Sequence, residues 1–331
     1  AAARHARARR MLRRRDFDAA RAHLEAAHSL LEAAGQLDVY PDLAEMLSWL
    51  AMFWLHGREN ERAKATFVKC AALEPGNAEH LCKQAALLID EASEAKDGPG
   101  DVAPALALLD RAEALDASCP DVYIVRGLCF LTKNDTEGAE REMQRALERR
   151  PDLTAAYQRL FLIKMQRGDV LGGQELLRRG LEACGRPLEL LAQESDLAFS
   201  MGNRDEAMRA IDLAIELHPD RATPYLSKAV VLMNTPGTDM SEVQEVLQKG
   251  IELDPKNHAL YFQLVNTKIQ SATSPAARAE CLRLLDTALD LCADEEEVSF
   301  MARTRGYCAA LEAAGAAAGL TEFSLAGEVV C

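Results

Sequence analysis

The fold is decided by residues 120–153, which read PDVYIVRGLCFLTKNDTEGAEREMQRALERRPDL. In the second half of this stretch the small residues Ala139 and Ala146 stand seven positions apart, with the apolar Met143 at the fourth step between them. Residues spaced by three or four positions share one face of a helix, so this half predicts a helix with a narrow packing face. Gly127 in the first half is also small. Helices approach closely where both carry small residues, and the stretch therefore predicts a tightly packed helix pair.

This pattern of small and apolar residues occurs eight times, once with the larger Val243 in first place. From Ala105 to Ala207 it recurs every 34 residues. A helix-turn-helix unit of this period is typical of the tetratricopeptide repeat, which buries its apolar face only against neighbouring copies. The eight triplets are Ala20/Leu24/Ala27, Ala63/Phe67/Cys70, Ala105/Leu109/Ala112, Ala139/Met143/Ala146, Gly173/Leu177/Gly180, Ala207/Ile211/Ala214, Val243/Leu247/Gly250 and Cys281/Leu285/Ala288.

The repeats predict an all-α protein, a right-handed tetratricopeptide-repeat superhelix of about seven to eight helix-turn-helix repeats with a C-terminal capping helix. Aromatic residues make up only 5% of the chain, which is too few for a large sheet. A cap is expected because the last repeat otherwise exposes its apolar face. We expect residues 1–43 to form a divergent or truncated first repeat, residues 44–292 the solenoid, residues 293–320 the capping helix and residues 321–331 a tail.

The formal net charge of −14 argues against nucleic acid as a partner, because an acidic surface repels phosphates. The charge suits a basic ligand, for example a positively charged targeting helix, although net charge also serves solubility. Nine cysteines without a CxxC pair indicate free thiols in a reducing compartment. The sequence contains no uncharged apolar run of about 18 residues, so no membrane span is predicted within it.

Two charged clusters have more than one interpretation. Residues 1–15 contain seven arginines and no acid, a composition that resembles a mitochondrial presequence. Because the segment directly precedes the first packing triplet, a solvated helix of the first repeat is the favoured interpretation, and a site for acidic tails is a third. The acidic residues 294–297 stand at the start of the predicted cap, where they stabilise a helix N-terminus. Their alternative role is docking of a basic partner.

No residue pattern predicts catalysis, a metal or a cofactor. The seven histidines never show the i, i+4 pairing of a helical zinc site. The sequence also lacks the phosphate-binding loop and the nucleophile elbow. Asp110 and Glu113 share a helix face, but no identifiable pocket gathers them, so we interpret them as solvated carboxylates. We therefore expect a non-enzymatic protein without metal or cofactor.

Candidate binding residues lie on the first helix of each repeat, at the positions that line the concave face of tetratricopeptide-repeat proteins. Across residues 120–270 these positions carry apolar and amide side chains in alternation. Such a groove suits an amphipathic helix or an extended apolar segment. The alternative is that winding of the superhelix closes the groove, so that these residues are core. The predicted groove residues are Ile124, Val125, Leu128, Arg159, Leu162, Met165, Gln193, Phe199, Leu226, Met233, Phe262 and Asn266.

Four stretches of the chain show a more specific similarity. They are LDASCPDVYIVRG (115–127), AIDLAIELHPDRATPYLSKAVVL (210–232), EVLQKGIELDPKNHALYFQL (245–264) and LDTALDLCADEEEV (285–298). With these stretches the chain resembles, over about residues 100–320, the large tetratricopeptide-repeat receptor of the mitochondrial outer-membrane translocase, the Tom receptor family. The resemblance implies a location on the mitochondrial outer membrane facing the cytosol; without it, a cytoplasmic protein is expected.

The resemblance also implies a function and its partners. It implies capture of precursor proteins or their amphipathic targeting segments, with translocase subunits as further candidate partners. In that family a membrane anchor and a clamp for the acidic tails of chaperones precede the precursor-binding repeats. The clamp needs a lysine and an asparagine four positions apart, where this chain has His5 and Arg9, or Ser48 and Met52 one repeat later. The clamp is therefore not carried over. The alternative function is a generic scaffold or adaptor that assembles a stable multiprotein complex.

Overall fold

In the part of the 331-residue chain that the structure describes, the residues form helices joined by turns, and no strand occurs there. It divides into two compact units, Ala1–Cys184 and Gly185–Cys331, and each unit has its own core. The structure, a computed structural model, describes residues 1–13, 17–35, 40–56, 59–93, 100–269, 272, 274–292 and 298–306.

The first unit contains ten helices among its described residues, and they follow one another as five pairs. The two members of each pair pack together, and each later first helix also packs on the second helix of the preceding pair. This is the arrangement in which a repeat buries its apolar face against its neighbours. The helices are α1 (Ala2–Arg13), α2 (Phe17–Ala33), α3 (Leu43–His56), α4 (Asn60–Leu73), α5 (Ala78–Ser93), α6 (Ala103–Leu115), α7 (Pro120–Thr132), α8 (Thr136–Arg149), α9 (Thr154–Gln166) and α10 (Val170–Ala183).

The second unit continues the same pairing. Its described residues include α11 (Leu188–Ser200), α12 (Arg204–Leu217), α13 (Thr223–Met233), α14 (Met240–Leu253), α15 (His258–Lys268) and α16 (Pro275–Leu291). A further helical stretch covers residues 298–306. Its Phe300 ring meets the Phe262 ring of α15 edge to face, with 5.6 Å between the centroids, and Arg305 forms an ion pair with Asp286 of α16. This stretch therefore packs against the last pair.

The packing triplets form the buried faces of the second helices. Ala139, Met143 and Ala146 of α8 have no exposed surface, and the members of the other seven triplets are buried as well. Between α7 and α8 the close approach also needs a small residue on the first helix. A Cβ at Gly127 would lie only 2.7 Å from the terminal methyl of Met143. Burial of every triplet confirms the all-α fold that their spacing predicts.

The turns inside the repeats are built from glycine and a capping side chain. Gly168 and Gly202 have positive φ angles of 73° and 78°, the left-handed conformation that ends a helix at low cost only for glycine. The next residue then caps the following helix. The side chain of Asp169 accepts a hydrogen bond from the backbone N–H of Gly172, and Asn203 caps α12 in the same way. These turns fix where each second helix begins.

Tyrosines near the start of first helices connect one repeat to the next. The hydroxyl of Tyr123 donates a hydrogen bond to the carbonyl of Ala117 at 2.8 Å, and that of Tyr261 donates to the carbonyl of Pro255 at 3.0 Å. Each acceptor lies in the turn that follows the preceding second helix. We call these contacts the junction hydrogen bonds, because each one joins two neighbouring repeats.

Several sequence predictions concern segments that the structure covers only in part. Residues 298–306 supply a helix within the predicted cap, whereas residues 293–297 and 307–331, with the rest of the cap and the tail, lie outside the described residues. The domain boundaries at residues 43 and 292 stay predictions. Within the described part of the chain, no helix combines the length and apolar character needed to cross a membrane. The same part contains no group of three or more side chains arranged to hold a metal ion.

Candidate protein-binding surface

The predicted groove residues of α7 belong mainly to the core of the first unit. Val125 is only 8% exposed and is a member of that core. Ile124 and Leu128 are partly buried and pack against the same cluster. On α7, Val125 is therefore a core residue, whereas Ile124 and Leu128 keep part of their surface exposed.

The predicted residues of α9 differ among themselves. Leu162 is 43% exposed and Arg159 is exposed as well, so both side chains are accessible to a partner. Met165 instead packs on α10, where its sulfur lies 3.1 Å from the position that a Cβ on Gly173 would occupy. A glycine at that position thus makes room for Met165. In the first unit, Arg159 and Leu162 are the most accessible of the predicted groove residues, while Ile124, Leu128 and Met165 are half-buried.

In the second unit the apolar residues of the predicted groove are half-buried. Phe199 of α11 packs against the cluster that includes Ile211, while Leu226 and Met233 of α13 pack against a cluster centred on α13 and α14. Phe262 of α15 is partly covered by the ring of Phe300. These side chains therefore expose part of their surface. Part of the Phe262 ring is covered by Phe300 of the predicted cap.

Two amide side chains of the predicted groove contain buried acceptors without a hydrogen-bond donor. They are the Oε1 atom of Gln193 on α11 and the Oδ1 atom of Asn266 on α15. The Nδ2 group of Asn266 donates to Oε1 of Gln263 at 3.1 Å, so only its oxygen lacks a partner. A buried acceptor without a donor costs about 1–3 kcal/mol.

Two carboxylates accompany Gln193 on α11. Burial raises the pKa of Asp196, although its side chain reaches solvent, because protein atoms around the carboxylate exclude part of its water. Burial also raises the pKa of Glu194, with Glu206 adding to the shift and Arg186 opposing it. No ion pair to either carboxylate occurs within the described part of the chain. This end of the predicted groove is therefore rich in acceptors and negative charge.

The residues at the first of the two clamp positions are engaged within the protein. His5 is buried, with its Nδ1 atom 2.8 Å from the hydroxyl of Tyr40. Arg9 forms ion pairs with Glu45 and with Asp42. Neither side chain presents a free cation or amide to an acidic tail.

Of the two carboxylates interpreted as solvated, Asp110 is largely exposed, whereas Glu113 is only partly exposed, and neither is free of partners. Both bind the guanidinium of Arg126 on α7, at 3.0 Å and 2.7 Å, and Glu142 lies 3.7 Å from the same group. The Arg126 side chain is only 9% exposed. The sequence does not reveal this cluster, because Arg126 stands on the repeat that follows Asp110 and Glu113. We call these four residues and Arg145, which binds Glu113 and Glu142, the Arg126 network.

Comparisons with known proteins agree with this architecture. Residues 96–154 match the family described as Tetratricopeptide repeat, and no curated protein matches the chain. The structure of yeast Tom70 is 20% identical with a TM-score of 0.74, and the match covers 88% of this chain and 60% of that one. A tetratricopeptide repeat protein from Parabacteroides merdae is 16% identical with a TM-score of 0.50, covering 80% and 97%. A chain of the APC/C hetero-tetramer Cut9-Hcn1 is 14% identical with a TM-score of 0.53, and the match covers 90% of this chain and 54% of that one.

The chain spans 60% of the length of the yeast Tom70 structure that it matches. At these identities the similarity concerns the fold, and it agrees with the helix pairs and buried triplets described above. The chain therefore carries tetratricopeptide repeats and has the fold of an all-α tetratricopeptide-repeat solenoid.

Proposed function

We propose that the chain is a non-enzymatic receptor segment that captures precursor proteins for mitochondrial import by binding their basic, amphipathic targeting segments. The resemblance of residues 210–298 to the Tom receptor family supports this, and so does the similarity in fold to yeast Tom70. On this proposal the protein works at the mitochondrial outer membrane, facing the cytosol, with translocase subunits as further partners.

The observation that carries the proposal is the chemistry of α11. Asp196 and Glu194 are carboxylates whose pKa values are raised by burial, and Gln193 adds a buried oxygen without a donor. The half-buried ring of Phe199 stands three residues beyond Asp196 on the same helix. Residues three apart lie on one helix face. A ligand that suits this face supplies a cation or an N–H donor next to an apolar group.

A basic amphipathic helix has this combination of groups. Its arginine or lysine side chains can pair with Asp196 and Glu194, and its apolar residues can cover Phe199 and the neighbouring Leu226. The carboxylates are partly stripped of water in the free protein, so pairing with them removes a destabilising term as well as adding an attraction. The acidic chain also attracts basic segments over longer distances. Capture is reversible and needs no chemical step.

The test is a titration of the full 331-residue chain with a labelled basic amphipathic peptide. The comparison peptide has the same composition in an order that does not segregate arginine from leucine. We expect the amphipathic peptide to bind more tightly, and Asp196→Lys to weaken its binding by about tenfold or more, because like charges repel at close range.

Asp290→Lys is the matched control, since Asp290 is an exposed aspartate on the second helix α16. This variant also replaces an aspartate by a lysine, but at a position outside the first helices. The affinity for the peptide should therefore change little. Equal affinity for the two peptides, or equal weakening by the two variants, would contradict the proposed ligand.

A generic scaffold that holds a multiprotein complex together is the second candidate. The similarity in fold to Cut9-Hcn1, which covers 90% of this chain, fits this function equally well. A scaffold would hold one stoichiometric partner through purification, whereas the proposed receptor binds many precursors weakly. Affinity purification at low and high salt separates them, because only the weak electrostatic binding is lost at high salt.

A further inference from the structure

Residues 298–306 form a short helix that is itself basic and amphipathic. They read VSFMARTRG, with the arginines Arg303 and Arg305 and no acid. Met301 is only 2% exposed and Thr304 is buried, whereas both arginines are exposed. Residues three apart share one side of a helix, so Met301 and Thr304 form its buried face. This helix therefore has the same chemistry as the ligand proposed above.

The two edges of the buried face contact different helices of the last pair. On one edge, the ring of Phe300 meets the ring of Phe262 on α15, with 5.6 Å between the centroids. On the other edge, the guanidinium of Arg305 forms an ion pair with Asp286 on α16. Five positions of an α-helix correspond to about 140° of rotation, so these two side chains point to different sides. Helix 298–306 therefore lies across the last pair, with an aromatic contact on the first helix and an ionic contact on the second.

The aromatic contact involves a predicted groove residue. One part of Phe262 packs against the cluster that includes Val265 and Leu285. Phe300 covers a further part, and the guanidinium of Arg303 lies 5.9 Å from the centroid of the Phe300 ring. Phe300 itself is 39% exposed, so the contact lies at the surface. An apolar side chain of an external ligand cannot pack on the same side of Phe262 while Phe300 is there.

We propose that helix 298–306 is an autoinhibitory segment, an internal ligand that covers the α15 end of the predicted groove and competes with basic amphipathic ligands for Phe262. This inference rests on the proposed function, since it concerns the regulation of the same groove. A ligand that reaches α15 must displace Phe300. Its apparent affinity is therefore reduced, because only the fraction of molecules in which Phe262 is uncovered can bind it fully.

A purely structural cap is the alternative. The last repeat of a solenoid needs a cover for its apolar face, and the buried Met301 supplies one. The cover does not depend on Phe300 to the same degree, because this side chain is partly exposed and contacts α15 through an edge-to-face ring pair. The two roles can therefore be separated within one helix. Replacement of Phe300 should change binding, whereas replacement of Met301 should change stability.

The test titrates the full chain and its Phe300→Ala variant with the labelled basic amphipathic peptide and with the comparison peptide of the same composition. We expect Phe300→Ala to raise the affinity for the amphipathic peptide about fivefold, because Phe262 is then uncovered. Leu253→Ala is the matched control, since Leu253 is 38% exposed but ends the second helix α14. It should change the affinity little. Urea denaturation verifies that both variants are folded.

A second substitution locates the origin of the gain. In a Phe262→Ala background the ligand has no aromatic surface to recover, so Phe300→Ala should no longer raise the affinity. This non-additivity is the signature of two side chains that compete for one contact. An equal gain with and without Phe262 would show that Phe300 acts elsewhere and would overturn the proposal.

Amide hydrogen exchange measures the displacement directly. Saturating amphipathic peptide should accelerate exchange within residues 298–306 of the parent chain, because the displaced helix loses its packing. Unchanged or slower exchange there would mean that helix and peptide bind side by side, and autoinhibition would be refuted.

The titrations also separate this inference from the proposed function. If the parent chain prefers the amphipathic peptide and Asp196→Lys weakens its binding, but Phe300→Ala brings no gain, the receptor function stands and autoinhibition is wrong. If neither the parent chain nor Phe300→Ala distinguishes the two peptides, both proposals are wrong.

Discussion

Arg126 and Glu194 occupy the same position in two repeats, the seventh residue of the first helices α7 and α11. The guanidinium of Arg126 is surrounded by the carboxylates of Asp110, Glu113 and Glu142. Glu194 has a raised pKa because it is buried next to another carboxylate and only weakly countered by a cation. One charge is neutralised inside the protein and the other is not.

The difference shows how one fold position can serve stability or binding. A buried charge that is fully paired holds its neighbours in place, and removing one partner leaves the others uncompensated. A desolvated charge without a partner destabilises the free protein and gains when a ligand of opposite charge arrives. The Arg126 network is therefore expected to act in stability, and the carboxylates of α11 in binding. Three predictions test this division.

The largest effect is expected for Arg126→Met. It removes the cation and leaves Glu113 and Glu142 close together and partly buried. We expect the free energy of unfolding to fall by about 2–3 kcal/mol, somewhat below the usual range because Asp110 is largely exposed and Glu113 partly so. Urea denaturation measures it. Arg178→Met removes an arginine from the exposed pairs of α10 and should have little effect; an equal loss in both would show that the network does not stabilise the fold.

A smaller effect is expected for Glu113→Gln, and it should depend on pH. Burial raises the pKa of Glu113, but Arg126 and Arg145 more than offset this, so the pKa is lowered in the folded protein. A lowered pKa stabilises the fold above the unfolded value and loses this contribution as pH falls through the folded value. We expect a loss of about 1 kcal/mol at pH 7 that shrinks below about pH 4. A loss independent of pH would mean that charge is not its cause.

The smallest effect, of opposite sign, is expected for Asp196→Asn. Burial raises the pKa of Asp196, so the ionised carboxylate destabilises the fold at pH values above the folded pKa, and the penalty vanishes below the unfolded pKa. The variant should be more stable than the parent by about 0.5 kcal/mol at pH 7 and equally stable below about pH 3.5. The effect is small because the side chain of Asp196 is exposed to solvent. Its affinity for a basic peptide should fall at the same time. A stability loss at pH 7 would contradict a desolvated, unpaired carboxylate.

The fold was predictable from the sequence because packing of the repeats depends on local spacing. A small residue such as Ala139 or Ala146 must recur on one helix face, and this regularity is visible without a structure. Some turns are also predictable from residue type. Gly168 adopts the positive φ angle that glycine favours, and Asp169 caps α10.

The candidate surface was less predictable, because exposure and pairing depend on contacts between repeats. Leu162 and Met165 stand at equivalent concave positions, yet Leu162 is exposed and Met165 fills the space beside Gly173. The partner of Glu113 is Arg126 in the next repeat. No short-range pattern marks such pairs. They follow from the stacking of particular side chains once the repeats are in place.

The junction hydrogen bonds have a consequence for how the protein opens. In a repeat array, the total stability is a sum of terms within each repeat and coupling terms between nearest neighbours. The bond from Tyr123 to the carbonyl of Ala117 contributes to a coupling term, because its donor and its acceptor lie on either side of a boundary. Breaking it uncouples two repeats while the helices of each stay folded. The free energy of local opening should therefore differ from one boundary between repeats to the next. Amide hydrogen exchange in the turn at residues 116–119 measures how strongly the two repeats on either side are coupled.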